Sequence, residues 1–369
     1  MKVFFLMQER DRPYGAERAV QDLLTGLRDS GRCEPIMLFI REHRLRGRGV
    51  VADAFRQAGI RVRVEEVRGA FSPRLVGRTA AALRREGAVM LHTIGNKADF
   101  YGAMAARRRG IPQVATVHGW LLRKDFKERV YEWLDRQVLK RCRRVVVLSR
   151  FYHRMLAAAG IPESRLRLIP TGYPPHRLPP ESTAATFPGG FVVGFMGRFS
   201  EEKGPERAIR VMAELGSSVP EARMIMAGEG NLLDRVRRLA RDCGLEDRID
   251  FPGYLSASDF FPHIHVLLCT SRIENLPVNI MDAMAWGRPV AAFRVGGIPD
   301  LVRDGENGLL ELPGGESALA RRLAALAKDA GIIRRMGRRG RGLLAEEFDS
   351  ARCVQDHLDL YREAAGEEA

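Results

Sequence analysis

Short apolar runs alternate with amphipathic stretches along the whole chain. Runs bounded by turn residues predict thirteen strands, at 2–7, 36–40, 61–66, 88–92, 113–117, 144–148, 166–169, 191–196, 223–227, 249–251, 265–269, 289–293 and 308–311. Helical spacing predicts helices between most of them, for instance at 16–29, 126–141, 205–215, 231–242, 277–286, 316–328 and 349–364. This alternation predicts an α/β protein whose mainly parallel sheets are covered by helices on both faces.

The segment 170–190 interrupts the alternation, because it holds six prolines and no apolar periodicity. A chain of 369 residues is long for one core and suits two domains. We therefore predict an N-terminal Rossmann-like domain, a Pro-rich linker, a C-terminal Rossmann-like domain and a last helix that packs back on the first domain. Their predicted bounds are 1–172, 173–190, 191–348 and 349–369.

The composition is that of a soluble globular protein, with 45% hydrophobic and 29% charged residues. No apolar run reaches the 18 or so residues that a membrane-spanning helix needs, and the N-terminal KVFFLM is too short for a signal-peptide core. The five cysteines form no C-x-x-C motif, which indicates free thiols in a reducing compartment. We expect a cytoplasmic protein.

The net charge of +14 is unevenly distributed. Residues 1–172 carry a net charge of +18, whereas residues 173–369 carry −4. The asymmetry indicates that the first half meets an anionic partner. An arginine-rich proteome is the alternative, but it explains the preference for arginine and not the difference between halves. No recognised DNA- or RNA-binding motif is present, so we expect no nucleic-acid partner.

In open α/β sheets, ligands bind beyond the carboxyl ends of the strands. Residues of unusual type follow several predicted strands, namely Gly15, His118, Arg198, Gly228, Glu274 and Gly296. Each of these could belong to an ordinary turn. Together they predict a ligand-binding cleft that both domains face.

The segment 271–297 carries two carboxylates eight positions apart, Glu274 and Asp282. Pro277 suits the first position of a helix between them, where its missing N–H is not needed. Five helical residues advance about 7–8 Å. Two acceptor-only groups so spaced could hold hydroxyls at opposite ends of a long, polyhydroxylated ligand.

Arg198 and Lys203 lie in a strand–loop–helix segment, 197–209, in which Pro205 starts the helix. The positive end of a helix and two cations suit a diphosphate. A solvated loop in which both cations pair with neighbouring glutamates is the alternative reading. Gly228 belongs to a bare G-x-G, which is common in turns.

His118 ends a buried strand pattern, and either a backbone-bonded loop histidine or a ligand-facing one fits. We find no metal-ligand spacing and expect no metal. Residues 121–144 combine nine Lys and Arg with Phe126, Val130, Trp133 and Leu134. Such a basic amphipathic helix could lie on an anionic membrane, although a helix that covers the sheet explains most of its apolar residues.

Several motifs, in the same order, resemble the retaining glycosyltransferases of family four. The C-terminal half contains GRFSEEKG, SRIEN, DAMAWGRPV, VGGIPDLV and DGENGLL. In the N-terminal half, YGAERAVQDLL (14–24) and TVHG (116–119) resemble the signatures of that family. The resemblance implies a GT-B fold, in which two Rossmann-like α/β/α domains face a central cleft. It also implies transfer of a sugar from a nucleotide-diphosphate donor with retention of anomeric configuration, without a metal or another cofactor.

The resemblance assigns roles to residues. Arg198 and Lys203 would hold the donor diphosphate, and Glu274 would bind hydroxyls of the donor sugar. Asp282 would bind the ribose, and His118 would lie beside the transferred sugar with Gly15 on the loop that faces it. Asn275, Leu276 and Gly228 complete the expected donor site.

The chain departs from the family pattern at three places. Asp282 is one methylene shorter than the usual glutamate, Asn275–Leu276–Pro277 replaces a glycine-containing turn, and Tyr14 replaces the first glycine of the N-terminal pair. In this family the C-terminal half holds the donor and the N-terminal half the acceptor. The positive charge therefore suggests a lipid-linked or membrane-presented anionic acceptor from envelope polysaccharide or glycolipid synthesis.

Two other functions remain open from the sequence. A nucleotide-sugar epimerase with the same fold would share the two-domain outline, and a non-catalytic nucleotide-sugar-binding protein would share the donor site. A dehydrogenase is disfavoured, because no G-x-G-x-x-G opens a helix after the first strand. UDP is favoured over GDP as the nucleotide.

Overall fold

The chain forms two units, each built around one parallel sheet. The structure is a computed structural model that describes residues 1–43, 45, 49–68, 72–119, 126–181 and 190–366. Unit 1 comprises Met1–Gly172 and Asp349–Ala369, and unit 2 comprises Tyr173–Phe348. Residues 182–189 of the predicted linker and 121–125 of the basic stretch lie outside the described residues.

Unit 1 contains a seven-stranded sheet in the order β3-β2-β1-β4-β5-β6-β7. Its strands are β1 (Lys2–Gln8), β2 (Glu34–Glu42), β3 (Arg61–Val67), β4 (Met90–Ile94), β5 (Gln113–Val117), β6 (Arg144–Val147) and β7 (Leu166–Leu168). All neighbours are parallel. The five residues Val3–Met7 of β1 are buried, as expected for a central strand covered on both faces.

Seven helices in the described part of unit 1 cover this sheet. They are α1 (Gly15–Asp29), α2 (Val50–Gln57), α3 (Pro73–Glu86), α4 (Asn96–Arg109), α5 (Phe126–Leu139), α6 (Arg150–Ala158) and, from the end of the chain, α14 (Ser350–Ala365). The last helix packs against α1, where Gly26 leaves room for Val354. It is also bonded to the sheet, because His92 Nδ1 lies 2.7 Å from Tyr361 Oη in the buried core.

Unit 2 contains a six-stranded parallel sheet in the order β10-β9-β8-β11-β12-β13. Its strands are β8 (Val192–Met196), β9 (Arg223–Ala227), β10 (Ile249–Gly253), β11 (Val266–Cys269), β12 (Val290–Phe293) and β13 (Gly308–Glu311). Its helices are α7 (Pro205–Ser218), α8 (Leu233–Asp242), α9 (Ala257–Phe260), α10 (Val278–Ala285), α11 (Ile298–Leu301), α12 (Glu316–Ala327) and α13 (Ala330–Glu347). The α/β prediction is confirmed in both units.

Both sheets reverse their strand order once. In unit 1 the reversal lies between β1 and β4, and in unit 2 it lies between β8 and β11. At such a switch point the chain leaves neighbouring strands in opposite directions, which opens a crevice beyond their carboxyl ends. The strand order therefore places one such crevice in each unit, beyond the carboxyl ends of these strands.

The structure corrects two helix starts. Helix α1 begins at Gly15, so this residue is helical rather than part of the preceding loop. Helix α10 begins at Val278, and Pro277 is its N-cap rather than its first residue, with an extended ψ of 117°. Pro277 therefore ends the loop after Glu274. Asp282 is the fifth residue of the helix, a little more than one turn from its start.

Helix α13 was not among the predicted helices, because its sequence contains four glycines and repeated arginines. Two of the glycines are explained by packing. A side chain at Gly337 would place its Cβ 2.0 Å from the Gly287 carbonyl oxygen, and Gly340 lies against Met284. The glycines bring α13 close to α10, and this benefit offsets their low helix propensity.

Candidate active site

The predicted donor residues of unit 2 lie at one edge of its sheet. Arg198 follows β8, Gly228 follows β9, Glu274 follows β11 and Gly296 follows β12. Since all of these strands are parallel, their carboxyl ends share this edge. The switch point between β8 and β11 is flanked by the loop of Arg198 and the loop of Glu274.

Lys203 and Glu274 are in direct contact across this switch point. Lys203 Nζ lies 2.5 Å from Glu274 Oε1, and Ser271 Oγ donates to the same oxygen at 2.7 Å. The Glu274 side chain is only 9% exposed. Both of the side-chain hydrogen bonds described for Glu274 end on Oε1, so Oε2 can accept from a ligand hydroxyl.

Ser271 was not predicted as a site residue. It is fully buried, and its hydroxyl fixes the rotamer of the glutamate three positions later. A serine at that spacing is the only signal that the sequence offers. Such a serine is too common in loops to be assigned a role without the fold.

The loop that carries Arg198 and Lys203 is fixed to the loop of Glu274 by hydrogen bonds to its backbone carbonyl groups. Thr270 Oγ1 donates to the Gly204 carbonyl oxygen at 2.9 Å, and Arg272 N–H donates to Glu202 O at 2.7 Å. Gly204 has a φ of +58° and caps α7, whose first residue is Pro205 as predicted. The positive end of the α7 dipole lies here, so this helix end favours anions.

Gly228 and Gly230 allow the backbone after β9 to approach the Arg198 loop closely. A Cβ on Gly228, whose φ is +140°, would lie 1.9 Å from the Gly197 carbonyl oxygen. A Cβ on Gly230 would lie 2.4 Å from the Phe199 carbonyl oxygen. Only glycine permits this approach, so the G-x-G has a structural reason here. Contact of Gly228 with the donor stays a prediction.

Gly296 lies directly against the backbone of Glu274. Its φ is +54°, and an added Cβ would lie 1.8 Å from the Glu274 carbonyl oxygen. Gly297 N–H donates to that same oxygen at 3.2 Å. The Gly296–Gly297 pair therefore determines the position of the Glu274 backbone.

Helix α10 is held to β8 near its start. Asn279 Nδ2 donates to the Met196 carbonyl oxygen at 2.8 Å. Asn275 and Leu276, in the turn before this helix, are both buried. The turn therefore belongs to the packed interior, which explains how it keeps one conformation without the glycines usual in the family.

Asp282 is more deeply buried than expected for a ligand-binding carboxylate. It is 1% exposed, and Tyr173 Oη donates to its Oδ1 at 3.0 Å. Tyr173 is itself 6% exposed, and its N–H donates to the Phe348 carbonyl oxygen at 2.7 Å. Asp282 therefore anchors the first residue of unit 2 to α10, and its predicted contact with ribose stays a prediction.

In unit 1, His118 directly follows β5. Part of its surface is accessible, yet protein atoms surround the imidazole closely enough for burial to lower its pKa to about 4. The ring is therefore neutral near pH 7. Gly119 has a φ of +124°, and an added Cβ would lie 2.8 Å from the Tyr152 hydroxyl oxygen. Gly15 lies at the amino end of α1, where Glu17 accepts from Tyr14 N–H at 3.1 Å.

Neither a membrane span nor a metal cluster is found in the part of the chain that the structure describes. None of its helices is long and apolar enough to cross a bilayer, and no three His, Cys, Asp or Glu residues are arranged to hold a metal ion. All five cysteines are free thiols, as predicted.

Comparison with known proteins decides the family. Residues 183–343 match the family described as glycosyl transferases group 1, and residues 13–177 match glycosyltransferase family 4. The 2-deoxystreptamine glucosyltransferase of Streptomyces kanamyceticus is 30% identical over 291 residues, which cover 72% of this chain and 74% of that protein. The chain belongs to the family-four glycosyltransferases. Its class of activity is glycosyl transfer.

Other relatives and structures agree with this family. The D-inositol 3-phosphate glycosyltransferase of Acidothermus cellulolyticus is 28% identical over 72% of this chain and 65% of its own length. Anabaena HepE, crystallised with UDP and glucose, has a TM-score of 0.84 at 22% identity and covers 98% of this chain and 99% of its own. Sucrose-phosphate synthase from Thermosynechococcus elongatus has a TM-score of 0.81 at 19% identity, with complete coverage of both chains. The fold is GT-B, as predicted.

Proposed function

We propose that this glycosyltransferase moves a sugar from a nucleotide-diphosphate donor, with UDP as the favoured nucleotide, to an acceptor hydroxyl with retention of anomeric configuration. The observation that carries the proposal is the contact between Lys203 and Glu274 at the switch point of unit 2. It brings a cation suited to a diphosphate next to a carboxylate suited to sugar hydroxyls. A sugar and its diphosphate leaving group need these two groups side by side.

The donor diphosphate lies, in this proposal, between Arg198, Lys203 and the amino end of α7. Arg198 is exposed at the carboxyl end of β8, so its guanidinium can reach a ligand. A planar guanidinium binds phosphate oxygens in pairs, whereas an ammonium acts as a point charge. Both charges are held on a loop that is bonded to its neighbour, so little reorganisation accompanies binding.

Glu274 binds hydroxyls of the donor sugar through Oε2. Its Oε1 is already held by Lys203 and Ser271, which fixes the carboxylate plane. When the diphosphate draws Lys203 towards itself, the Ser271 hydroxyl still keeps the carboxylate in position. Because the carboxylate is already oriented, less conformational entropy is lost on reaching the transition state.

The chemical step breaks the bond between the anomeric carbon and the diphosphate oxygen. The electron pair of that bond goes to the departing nucleoside diphosphate, and the acceptor oxygen forms the new bond to the anomeric carbon. The acceptor proton passes to the leaving phosphate. Negative charge grows on the diphosphate in the transition state, so preorganised cations stabilise it more than the ground state.

These cations supply the charge that a divalent metal supplies in other transferases, so we propose a reaction that needs no metal or cofactor. Assays in the presence of EDTA test this point. Turnover is expected to be unchanged by the chelator, whereas a loss that Mg²⁺ restores would contradict it.

UDP is favoured because solved structures of the same fold contain it. HepE has been crystallised with UDP and with UDP-glucose. A thermal-shift panel of nucleotide-sugars tests the choice, since a ligand that binds only the folded protein raises its melting temperature. A larger shift with UDP-sugars than with GDP-sugars supports the proposal. No shift with any activated sugar would contradict it.

The acceptor side belongs to unit 1, and we propose a lipid-linked acceptor at the anionic inner face of the cell membrane. The first 172 residues carry the +18 charge. Helix α5 presents Trp133, which is 59% exposed, next to the exposed Arg129. An exposed tryptophan among cations suits the boundary between lipid headgroups and acyl chains. The side chains of Phe126 and Val130 lie outside the described residues.

Sedimentation with liposomes tests membrane binding. Binding to vesicles that contain anionic lipid is expected at low salt and should weaken as salt is added. Trp133→Ala should weaken it further, whereas Leu312→Ala, which removes an exposed apolar side chain from unit 2, should not. Equal binding to neutral vesicles at low salt would count against the proposal.

A further inference from the structure

The switch point of unit 1 carries a side-chain cluster that no sequence motif identified. Gln8 ends β1, Glu42 ends β2, and Lys97 is the second residue of the helix that follows β4. These strands are adjacent in the order β2-β1-β4, and their reversal lies between β1 and β4. Gln8 and Lys97 therefore lie beyond the carboxyl ends of β1 and β4, which flank the crevice, and Glu42 lies beyond the carboxyl end of the next strand, β2.

The contacts within this cluster repeat those of the donor site. Lys97 Nζ donates to Glu42 Oε1 at 2.9 Å, and Gln8 Nε2 donates to the same oxygen at 3.0 Å. In unit 2, Lys203 and Ser271 donate to one oxygen of Glu274 in the same way. In both units, a lysine and a neutral donor hold one carboxylate oxygen at the switch point of a parallel sheet.

From this repetition we infer that Gln8, Glu42 and Lys97 form an acceptor subsite that binds a polyhydroxylated ring, either a sugar or a cyclitol. The inference rests on the proposed function, because it assigns the acceptor of that reaction to residues of unit 1. Glu42 Oε2 and the Gln8 carbonyl oxygen accept from hydroxyls, and the Lys97 ammonium donates to them. A ring with adjacent hydroxyls can satisfy all three groups at once.

An ordinary surface ion pair is the competing explanation, because exposed Lys–Glu pairs are common and contribute little stability. Two features distinguish the cluster. The Lys97 side chain is 17% exposed although it carries a charge, and its carboxylate partner is shared with the last residue of a central strand.

Strand β2 supplies a matched control. Glu34 begins the strand at the amino edge of the sheet, pairs with Arg61 at 2.6 Å and is 42% exposed, close to the 48% of Glu42. The variants Glu42→Gln and Glu34→Gln therefore remove equal charge from similarly exposed carboxylates at opposite ends of the same strand. Only the first variant changes a residue of the proposed subsite.

The probes are myo-inositol and methyl α-D-glucopyranoside, titrated at millimolar concentration and followed by saturation-transfer NMR. The wild-type protein should bind at least one of them, and Glu42→Gln should weaken that binding about tenfold or more, the effect of losing one hydrogen bond to a charged group. Glu34→Gln should bind as the wild type does. If neither probe binds the wild type, or if Glu42→Gln binds as tightly as Glu34→Gln, the subsite is overturned.

Calorimetry with UDP separates this outcome from that of the proposed function. If the wild-type protein binds UDP but neither polyol, the result supports the donor site and contradicts the acceptor subsite. If it binds a polyol through Glu42 but no nucleotide, the result supports the subsite and contradicts the proposed transferase chemistry.

Discussion

The two carboxylates at the switch points differ in depth although their partners match. The Glu274 side chain is 9% exposed, and that of Glu42 is 48% exposed. Glu274 is additionally fixed through its backbone by Gly296 and Gly297, whereas Glu42 is the last residue of strand β2. The difference suggests that donor recognition needs a rigid, desolvated carboxylate, while acceptor recognition can use a shallow one.

Among the substitutions considered, that of Lys203 should impair the donor site of unit 2 most severely. Lys203→Ala removes the charge next to the leaving diphosphate and is expected to lower donor turnover by about 10²–10³-fold, the loss typical of one preorganised transition-state donor. Steady-state assays of UDP release measure it. Lys328→Ala, which removes an exposed lysine from the same unit, serves as the control and should leave the rate unchanged. A Lys203→Ala rate close to that of the control would remove the proposed role.

Glu274→Gln should have the next largest effect, a fall in donor turnover of about 10²-fold with the fold intact. The amide oxygen can still accept from one hydroxyl. The amide carries no negative charge, so it cannot form the ion pair with Lys203. UDP alone has no sugar, so its affinity should change little. The comparison of turnover with UDP affinity therefore locates the defect. A parallel loss of UDP affinity would show that Glu274 does not act on the sugar.

The pair Tyr173–Asp282 distinguishes a ligand-binding carboxylate from an anchor. Asp282→Asn should weaken UDP binding about tenfold, and Tyr173→Phe should lower the free energy of unfolding by about 1–3 kcal/mol through loss of a bond to a buried carboxylate. Calorimetry with UDP and 2′-deoxy-UDP separates the two roles of Asp282. If Asp282 binds the 2′-hydroxyl, its substitution reduces the preference for UDP. An unchanged preference would show that it acts only as an anchor.

Acid should destabilise unit 1 more than unit 2. Burial lowers the pKa of His118 and His357 to about 4 and that of His92 well below its usual value, all in unit 1, whereas unit 2 has His265, also at about 4 through burial. Since these histidines bind protons more readily when unfolded, their contribution to stability is complete above about pH 6.5 and falls as pH decreases towards 4. For His357 alone the loss is on the order of 2 kcal/mol at pH 5.

Hydrogen exchange at pH 7.5 and pH 5 measures this difference unit by unit. Protection in β4, β5 and α14 should fall more than protection in β8 and β11. His357→Gln should reduce the acid sensitivity of unit 1 and leave that of unit 2 unchanged. Equal loss of protection in both sheets would contradict the assignment of the sensitivity to the three histidines.

All thirteen predicted strands are present, and most of them were recognised because buried parallel strands are continuous apolar runs. The sequence predicted the positions of Arg198, Lys203 and Glu274 because each follows such a run. It did not reveal Ser271, Gln8 or Glu42, since these polar residues are ordinary in type and become notable only when the sheet order brings strand ends together. Helix α13 was missed because its glycines serve packing against α10, a contact that no local pattern encodes.

The depth of Asp282 was also hidden from the sequence. Its place within a helix was predicted, but its partner lies 109 positions away at Tyr173. A pairing of this kind depends on where the chain enters unit 2. The roles of the individual donor residues therefore stay predictions, whereas the fold and the family are shown.

Titration of UDP into the wild-type protein and into Lys203→Ala by calorimetry tests the central claim most directly. If the diphosphate lies between Arg198, Lys203 and the start of α7, the wild type binds UDP and the variant binds it at least about tenfold more weakly, as expected for the loss of one charge-assisted contact. Equal affinities, or no heat with the wild type, would contradict a diphosphate site at this edge of unit 2.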